Sequence, residues 1–197
     1  MCGRAYATYS QDELFLNYLN RRAPRLDAAE EVRPHYNLAP TQSAQVVLVR
    51  DDQRAIESFR WGLVPFWAKD LASASKYSLI NARSEEIAEK RSYKQAFHQR
   101  RCVVHLSGFF EWKKEGAGPK RPFAIHLKHD AIMSLAGVWE RWTSPDGQPV
   151  YSFSIVTTAA NDFMRQLHDR MPVILAKPDI EGWLNPERQE TDHLHTF

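Results

Sequence analysis

The chain has 197 residues, 43% of them hydrophobic and 12% aromatic, which excludes a disordered chain and makes one domain with a full core the expectation. Charged residues break up the first thirty positions and no apolar run is long enough for a bilayer, so neither a signal peptide nor a membrane span is expected. The net charge of +2 is too small to indicate nucleic-acid binding by itself, because phosphate affinity depends on local clustering.

The expected location is the reducing cytoplasm, where Cys2 and Cys102 stay free thiols. Basic clusters stand at residues 21–25 ("RRAPR"), 89–94 ("EKRSYK") and 98–101 ("HQRR"), each read singly as a solvated face. Six Trp and seven Tyr exceed what a core of this size requires.

Along the chain, Ser10 to Glu13 has the form of a capping box, and Leu14, Phe15, Tyr18 and Leu19 follow at helical spacing. "AQVVLVR" and "AIESFRW" form a hairpin across "DDQR". "SEEIAEKRSYKQAF" predicts a helix over 84–97, acidic in its first turn and basic after it. "RCVVHL", "PFAIHL", "IMSLAGVW" and "VYSFSIV" predict four further strands. "TAANDFMRQLH" predicts a short helix, "MPVIL" an extended segment, and "PDIEGWL" a last helical turn opened by Pro178. Strands outnumber helices without alternating with them, so the fold class is α+β, with a curled, mostly antiparallel sheet and a few short helices.

The candidate chemistry begins at "MCGR". Removal of Met1 leaves an α-amine beside a thiol on one residue, Cys2. These groups titrate near ~8 and ~8.5 in model compounds, so both have reactive forms at neutral pH. An amine forms a Schiff base with an aldehyde; the neighbouring thiol then adds to the imine and closes a thiazolidine, which no internal cysteine can do.

Dense polar and aromatic stretches accompany it: "YNLAPT", "WGLVPFWAKD", "NARSEE", "GFFEWKKEG" and "HDRMPVIL". Glu111 lies between Phe110 and Trp112, company that suits proton transfer; alternation equally allows an outward Glu111 with inward aromatics. Asn81 reads alone as a helix N-cap, and His168 as a helix C-cap followed by Asp169. No phosphate-binding glycine loop, zinc-type cysteine spacing, nucleophile elbow or HExxH is present. The "HLH" at 193–195 reads as a frayed tail, so neither a metal nor a cofactor is expected.

Taken in order, "MCGR", "YNLAP", "WGLVPFW", "NARSE", "GFFEWKKEG", "SIVTTAAN" and "HDRMPVIL" resemble the SOS response-associated peptidase (SRAP) family of abasic-site processing proteins, over about the first 185 residues. The resemblance implies one barrel-like SRAP domain over 1–197. Its partner would be single-stranded DNA with abasic sites, whose ring-opened aldehyde joins Cys2 as a thiazolidine. It implies that Asn81 positions the sugar and the terminus, that Glu111 handles protons, and that His168 assists ring opening.

It also places Arg4, Asn37, Arg83, Arg91, Thr157 and Arg170 near the DNA backbone, with Trp67 and Trp112 as stacking faces. A lyase step and self-removal of the terminal residue accompany this family. Ala68 departs from a second aromatic found in some members, and 185–197 is a short or divergent end where the family continues. A monomer in the cytoplasm, near the nucleoid, is expected. Two other readings stay open: a thiol peptidase with Cys2 as nucleophile and His168 as base, and a single-strand-binding module without chemistry.

Overall fold

The structure is a computed structural model, which describes residues 2–19, 33–185 and 187–188. The basic cluster at 21–25, the "HLH" segment and most of 185–197 lie outside the described residues.

Five strands close on themselves: β3 (Ser43–Arg50), β4 (Gln53–Trp61), β6 (Arg101–Leu106), β9 (Met133–Thr143) and β10 (Pro149–Ala159). They run in the order β10-β4-β3-β6-β9, and β9 pairs back onto β10 to complete a barrel. Alternation sorts their side chains onto two faces. Val46, Phe59, Trp61, Cys102, Val104 and Phe153 form one cluster inside the ring. Val47, Val103, Ala136, Val138 and Val156 face the other way, against Leu14, Tyr18, Phe97 and Trp183. Both faces are therefore buried, and near-continuous apolar runs such as "QVVLV" are the result. Gly137 shows how tightly the interior closes: a Cβ there would lie 2.8 Å from Val104 Cγ2 and 3.0 Å from Cys102 Sγ.

The outer apolar face is covered by α1 (Gln11–Leu19), α3 (Lys94–Gln99) and α5 (Lys177–Leu184). The shorter α2 (Leu71–Ser75) and α4 (Asp162–Arg165) complete the helices among the described residues. A second sheet has the order β2-β1-β7-β8, from β2 (His35–Leu38), β1 (Ala5–Ala7), β7 (Gly108–Lys113) and β8 (Arg121–Ile125). Only Ser107 separates β6 from β7, so this sheet leaves the barrel wall directly. Two short strands join β10: β11 (Arg170–Pro172) antiparallel and β5 (Asn81–Arg83) parallel. The sheets are thus mostly antiparallel, with parallel pairings of β10 to β4 and to β5. No helix among the described residues is long and apolar enough to cross a membrane.

The capping box forms, with Ser10 N–H on Glu13 Oε2 at 2.7 Å and Glu13 N–H on Ser10 Oγ at 3.2 Å. The hairpin turn contracts to Asp51 and Asp52, at φ 51° and 58°, as a two-residue turn matching strand twist requires.

The helix expected over 84–97 survives only as α3. Ahead of it the chain folds as turns (Glu86 N–H to Arg83 O, Glu89 N–H to Glu86 O), because Ser84 N–H is tied to Thr157 O at 2.9 Å. The helix expected over 158–168 likewise shortens to α4, since β10 extends through Ala159; Asn161 caps α4 by accepting from Met164 N–H. Within 98–101, Gln99 is exposed but Arg101 departs from a solvated face. Arg101 is buried and donates to Trp183 O, Phe97 O, His98 O and Asn185 O, holding two helix ends, and burial brings its pKa down to about 10.

Candidate active site

Cys2 sits just ahead of β1 and is 1% exposed, packed in the cluster that fills the barrel. Phe110 N–H donates to Arg4 O at 2.8 Å, extending the β1–β7 pairing of Ala5 with Phe109. Alternation along β7 then decides the question left open by the sequence: Glu111 faces inward at 5% exposed, while Trp112 faces out at 40%.

Asn81 opens β5, not a helix, and pairs with Ile155. Its Nδ2 donates to Cys2 O at 2.9 Å, and Tyr93 Oη donates to Asn81 O at 3.0 Å. Asn81 Oδ1 is buried and meets no hydrogen-bond donor among the described residues, an acceptor that costs about 1–3 kcal/mol when left unsatisfied. Tyr93, whose hydroxyl burial pushes up to about 12, stands inside the charged run "EKRSYK", and sequence reading passed over it. Burial raises the Cys2 thiol well above the ordinary cysteine range, and the Glu111 carboxylate raises it further. The thiol is therefore neutral at pH 7, which corrects the expectation of a readily available thiolate.

His168 lies in the turn between α4 and β11. Its Nδ1 accepts from Arg170 N–H at 3.0 Å and stands 2.7 Å from Asp169 Oδ1. One nitrogen cannot serve both at once: a bare Nδ1 accepts from Arg170 N–H, and an Nδ1 that carries a proton donates to Asp169. Arg170 is itself held, donating through both terminal nitrogens to Glu85 at 2.6 and 2.9 Å and to Thr157 O at 2.6 Å. Thr157 is 0% exposed and lies beneath Arg170, which donates to its carbonyl. Glu85, the partner that occupies Arg170, was not singled out from the sequence although it stands in "NARSEE".

The remaining expected DNA-facing residues are at the surface. Arg4 Nη1 donates to Asn37 Oδ1 at 2.7 Å, placing both on one edge of the small sheet beside Tyr36, which is 71% exposed. Arg83 is exposed at the end of β5. The exposed Arg91 lies over the half-buried Trp67 ring at 5.3 Å, and Tyr77 meets that ring edge-on. Among the described residues no group of three or more His, Cys, Asp or Glu is arranged to hold a metal.

The sequence matches, over residues 1–197, the model of the family described as SOS response associated peptidase (SRAP). It is 36% identical to the abasic site processing protein YoaM of Bacillus subtilis, over 100% of this chain and 85% of that one. It is 33% identical to the abasic site processing protein HMCES of Gallus gallus, over 84% of this chain and 58% of the relative. A crystal structure of a Bacteroides thetaiotaomicron protein superposes with a TM-score of 0.86 at 28% identity, covering 97% of this chain and 84% of that one. A Bordetella bronchiseptica protein shares the fold, with a TM-score of 0.80 at 22% identity, over 100% of this chain and 92% of that one.

Proposed function

The chain belongs to the SOS response associated peptidase family, and on that premise we propose that it processes abasic sites by joining Cys2 covalently to the aldehyde of the ring-opened sugar in single-stranded DNA. The single observation that carries this reading is the Asn81 amide on the Cys2 carbonyl, with the buried Glu111 carboxylate near enough to bear on the thiol. The printed names of the relatives, abasic site processing proteins, agree with it.

Met1 is first removed, freeing the α-amine. The amine nitrogen attacks the aldehyde carbon, and loss of one water gives the imine. The thiol then adds across the C=N bond: the C–S bond forms, Glu111 takes the sulfur's proton and delivers it to nitrogen, and the thiazolidine closes. A thiol kept neutral by burial favours this order, since the amine must react first. Asn81 holds the terminus through Cys2 O and offers Oδ1 to a donor on the amine or sugar. His168 moves the hemiacetal proton as the sugar ring opens.

Arg4, Asn37, Arg83, Arg91 and Arg170 line the strand's backbone, with Thr157 acting through Arg170, and Trp67 and Trp112 stack bases. The domain acts as a monomer near the nucleoid, without metal or cofactor, and a lyase step can follow the imine.

The peptidase reading is less well supported, because the carboxylate of Glu111 stands beside the thiol while the hydrogen bonds of His168 run to its own turn. Incubation of the mature protein with an abasic oligonucleotide is expected to give a heat-stable shifted band in a denaturing gel. No band with the wild type, or an undiminished band with Cys2→Ala, overturns the proposal.

A further inference from the structure

Beside the reacting trio lies a small pocket of about 170 Å³ that the chemistry above does not use. Its polar lining is Arg60, Thr41, Ser75 and Ser78, and its apolar floor includes Trp61 and Ile80. Ile80 immediately precedes Asn81, and Trp61 shares the interior cluster with Cys2, so the pocket adjoins the site by one residue along the chain.

Arg60 is the unusual member. The other arginines that reach inward are matched: Arg100 by Glu140, Arg170 by Glu85, and Arg101 by helix-end carbonyls. Arg60 is half-buried, donates through Nη1 to Gly62 O at 2.7 Å, and meets no carboxylate among the described residues. Gly62, at φ 109°, lets this contact form, for a Cβ there would stand 3.1 Å from Arg60 Nη1.

A guanidinium carries five donors and a permanent charge. One carbonyl leaves most of that capacity free for a ligand, and the exposed Thr41 and Ser78 add hydroxyls, while Ser75 Oγ donates to Leu71 O at 2.9 Å and lines the same wall. Cation and hydroxyls at the rim over an apolar floor suit a phosphate attached to a less polar sugar or base.

The frame is rigid. Trp61 Nε1 donates to Ile80 O at 3.0 Å, Thr41 N–H to Trp61 O at 2.8 Å and Leu63 N–H to Leu79 O at 2.9 Å. Such ties let the pocket receive a ligand without reorganising.

We propose that the Arg60 pocket seats the phosphate-bearing nucleotide that adjoins the abasic residue, so that one neighbour of the lesion is gripped while Cys2 reacts. This rests on the abasic-capture reading for its strand, and on the unmatched Arg60 for its place.

The test uses an oligonucleotide carrying a tetrahydrofuran abasic analogue, which has no aldehyde and reports binding alone. Arg60→Gln is expected to weaken it about tenfold and to make the dependence of log affinity on log salt shallower by about 1. Ser75→Asp, which puts a negative charge on the rim, should weaken binding similarly with an unchanged melting temperature, covering the case in which Arg60→Gln perturbs folding. A neutral methylphosphonate scanned through the linkages flanking the analogue should erase the Arg60→Gln effect at one linkage only.

Equal affinity and slope for wild type and both variants overturn the proposal. Deoxyadenosine monophosphate binding as tightly as the oligonucleotide also overturns it, by assigning the pocket to a free nucleotide. If an aldehyde-bearing strand gives no covalent band while Arg60→Gln still weakens the analogue, the capture reading falls and the pocket stands.

Discussion

The two cysteines occupy one apolar cluster and are almost equally hidden, Cys2 at 1% and Cys102 at 0% exposed. Burial raises both thiols. Their surroundings then diverge. For Cys102 burial is the whole account of the shift, and its carbonyl receives Trp183 Nε1 at 2.9 Å from within the β6–β9 ladder. Around Cys2 an amide reaches its carbonyl and a carboxylate bears on its thiol. Concealment alone therefore yields an inert core residue. What turns the other thiol into a candidate nucleophile is polar company, and its place at the chain's beginning adds an amine once Met1 is gone.

The strongest way to break that contrast is to truncate each thiol. Cys2→Ala should abolish the covalent band, whereas Cys102→Ala should leave its yield intact and cost about 1–2 kcal/mol of unfolding free energy from the small cavity left behind, read by denaturant titration. Next in size, Glu111→Gln should slow band formation about 10²–10⁴-fold in single-turnover kinetics if its proton transfers matter as argued. Asn81→Ala should slow it by about 10², the scale of a misplaced reacting group, with oligonucleotide binding little changed.

A buried titratable group far from that polar company sharpens the comparison from the other side. His105 is 0% exposed, its ring lies tilted against Tyr18 with centroids 4.0 Å apart, and burial lowers its pKa from 6.5 to about 3. The unfolded chain therefore takes up the proton first. The stability due to a neutral His105 is complete above about pH 6.5 and is lost as pH falls towards 3, at up to about 1.4 kcal/mol per unit. His105→Leu should flatten that acid slope in equilibrium unfolding while leaving the covalent yield at pH 7 unchanged. The smallest effect is expected at the surface. Trp112→Ala should lose about 1–3 kcal/mol of strand affinity, measured by fluorescence anisotropy, with the final yield at saturating DNA intact.

Much of the fold was legible because local signals and tertiary demands coincide in it. The Ser10–Glu13 box, the hairpin around Asp51 and Asp52 and the strand runs of the barrel all formed where their patterns pointed. Residues 84–93 were not legible, since a good helical pattern is overridden by Ser84 bonding to β10 and by Glu85 holding Arg170. Asn81 fits a helix cap by propensity and a strand by position; only its pairing with Ile155 decides. At the site, the motif order named Cys2, Asn81 and Glu111, but alternation could not say which face of β7 turned inward. Arg60 stayed invisible for a simpler reason: nothing in a sequence marks a cation as lacking an acid.

The way β10 is shared has a consequence for synthesis. This strand pairs with β9, β4, β5 and β11, and the β5 pairing is what fixes Asn81 against Cys2. Topologies built on such distant pairings form late. Cys2 precedes all of these strands in chain order, so its partners cannot assemble around it until translation has passed Pro149 and the strand it begins. A nascent chain thus carries Cys2 without its polar company, and the order of manufacture withholds that company until the barrel can close.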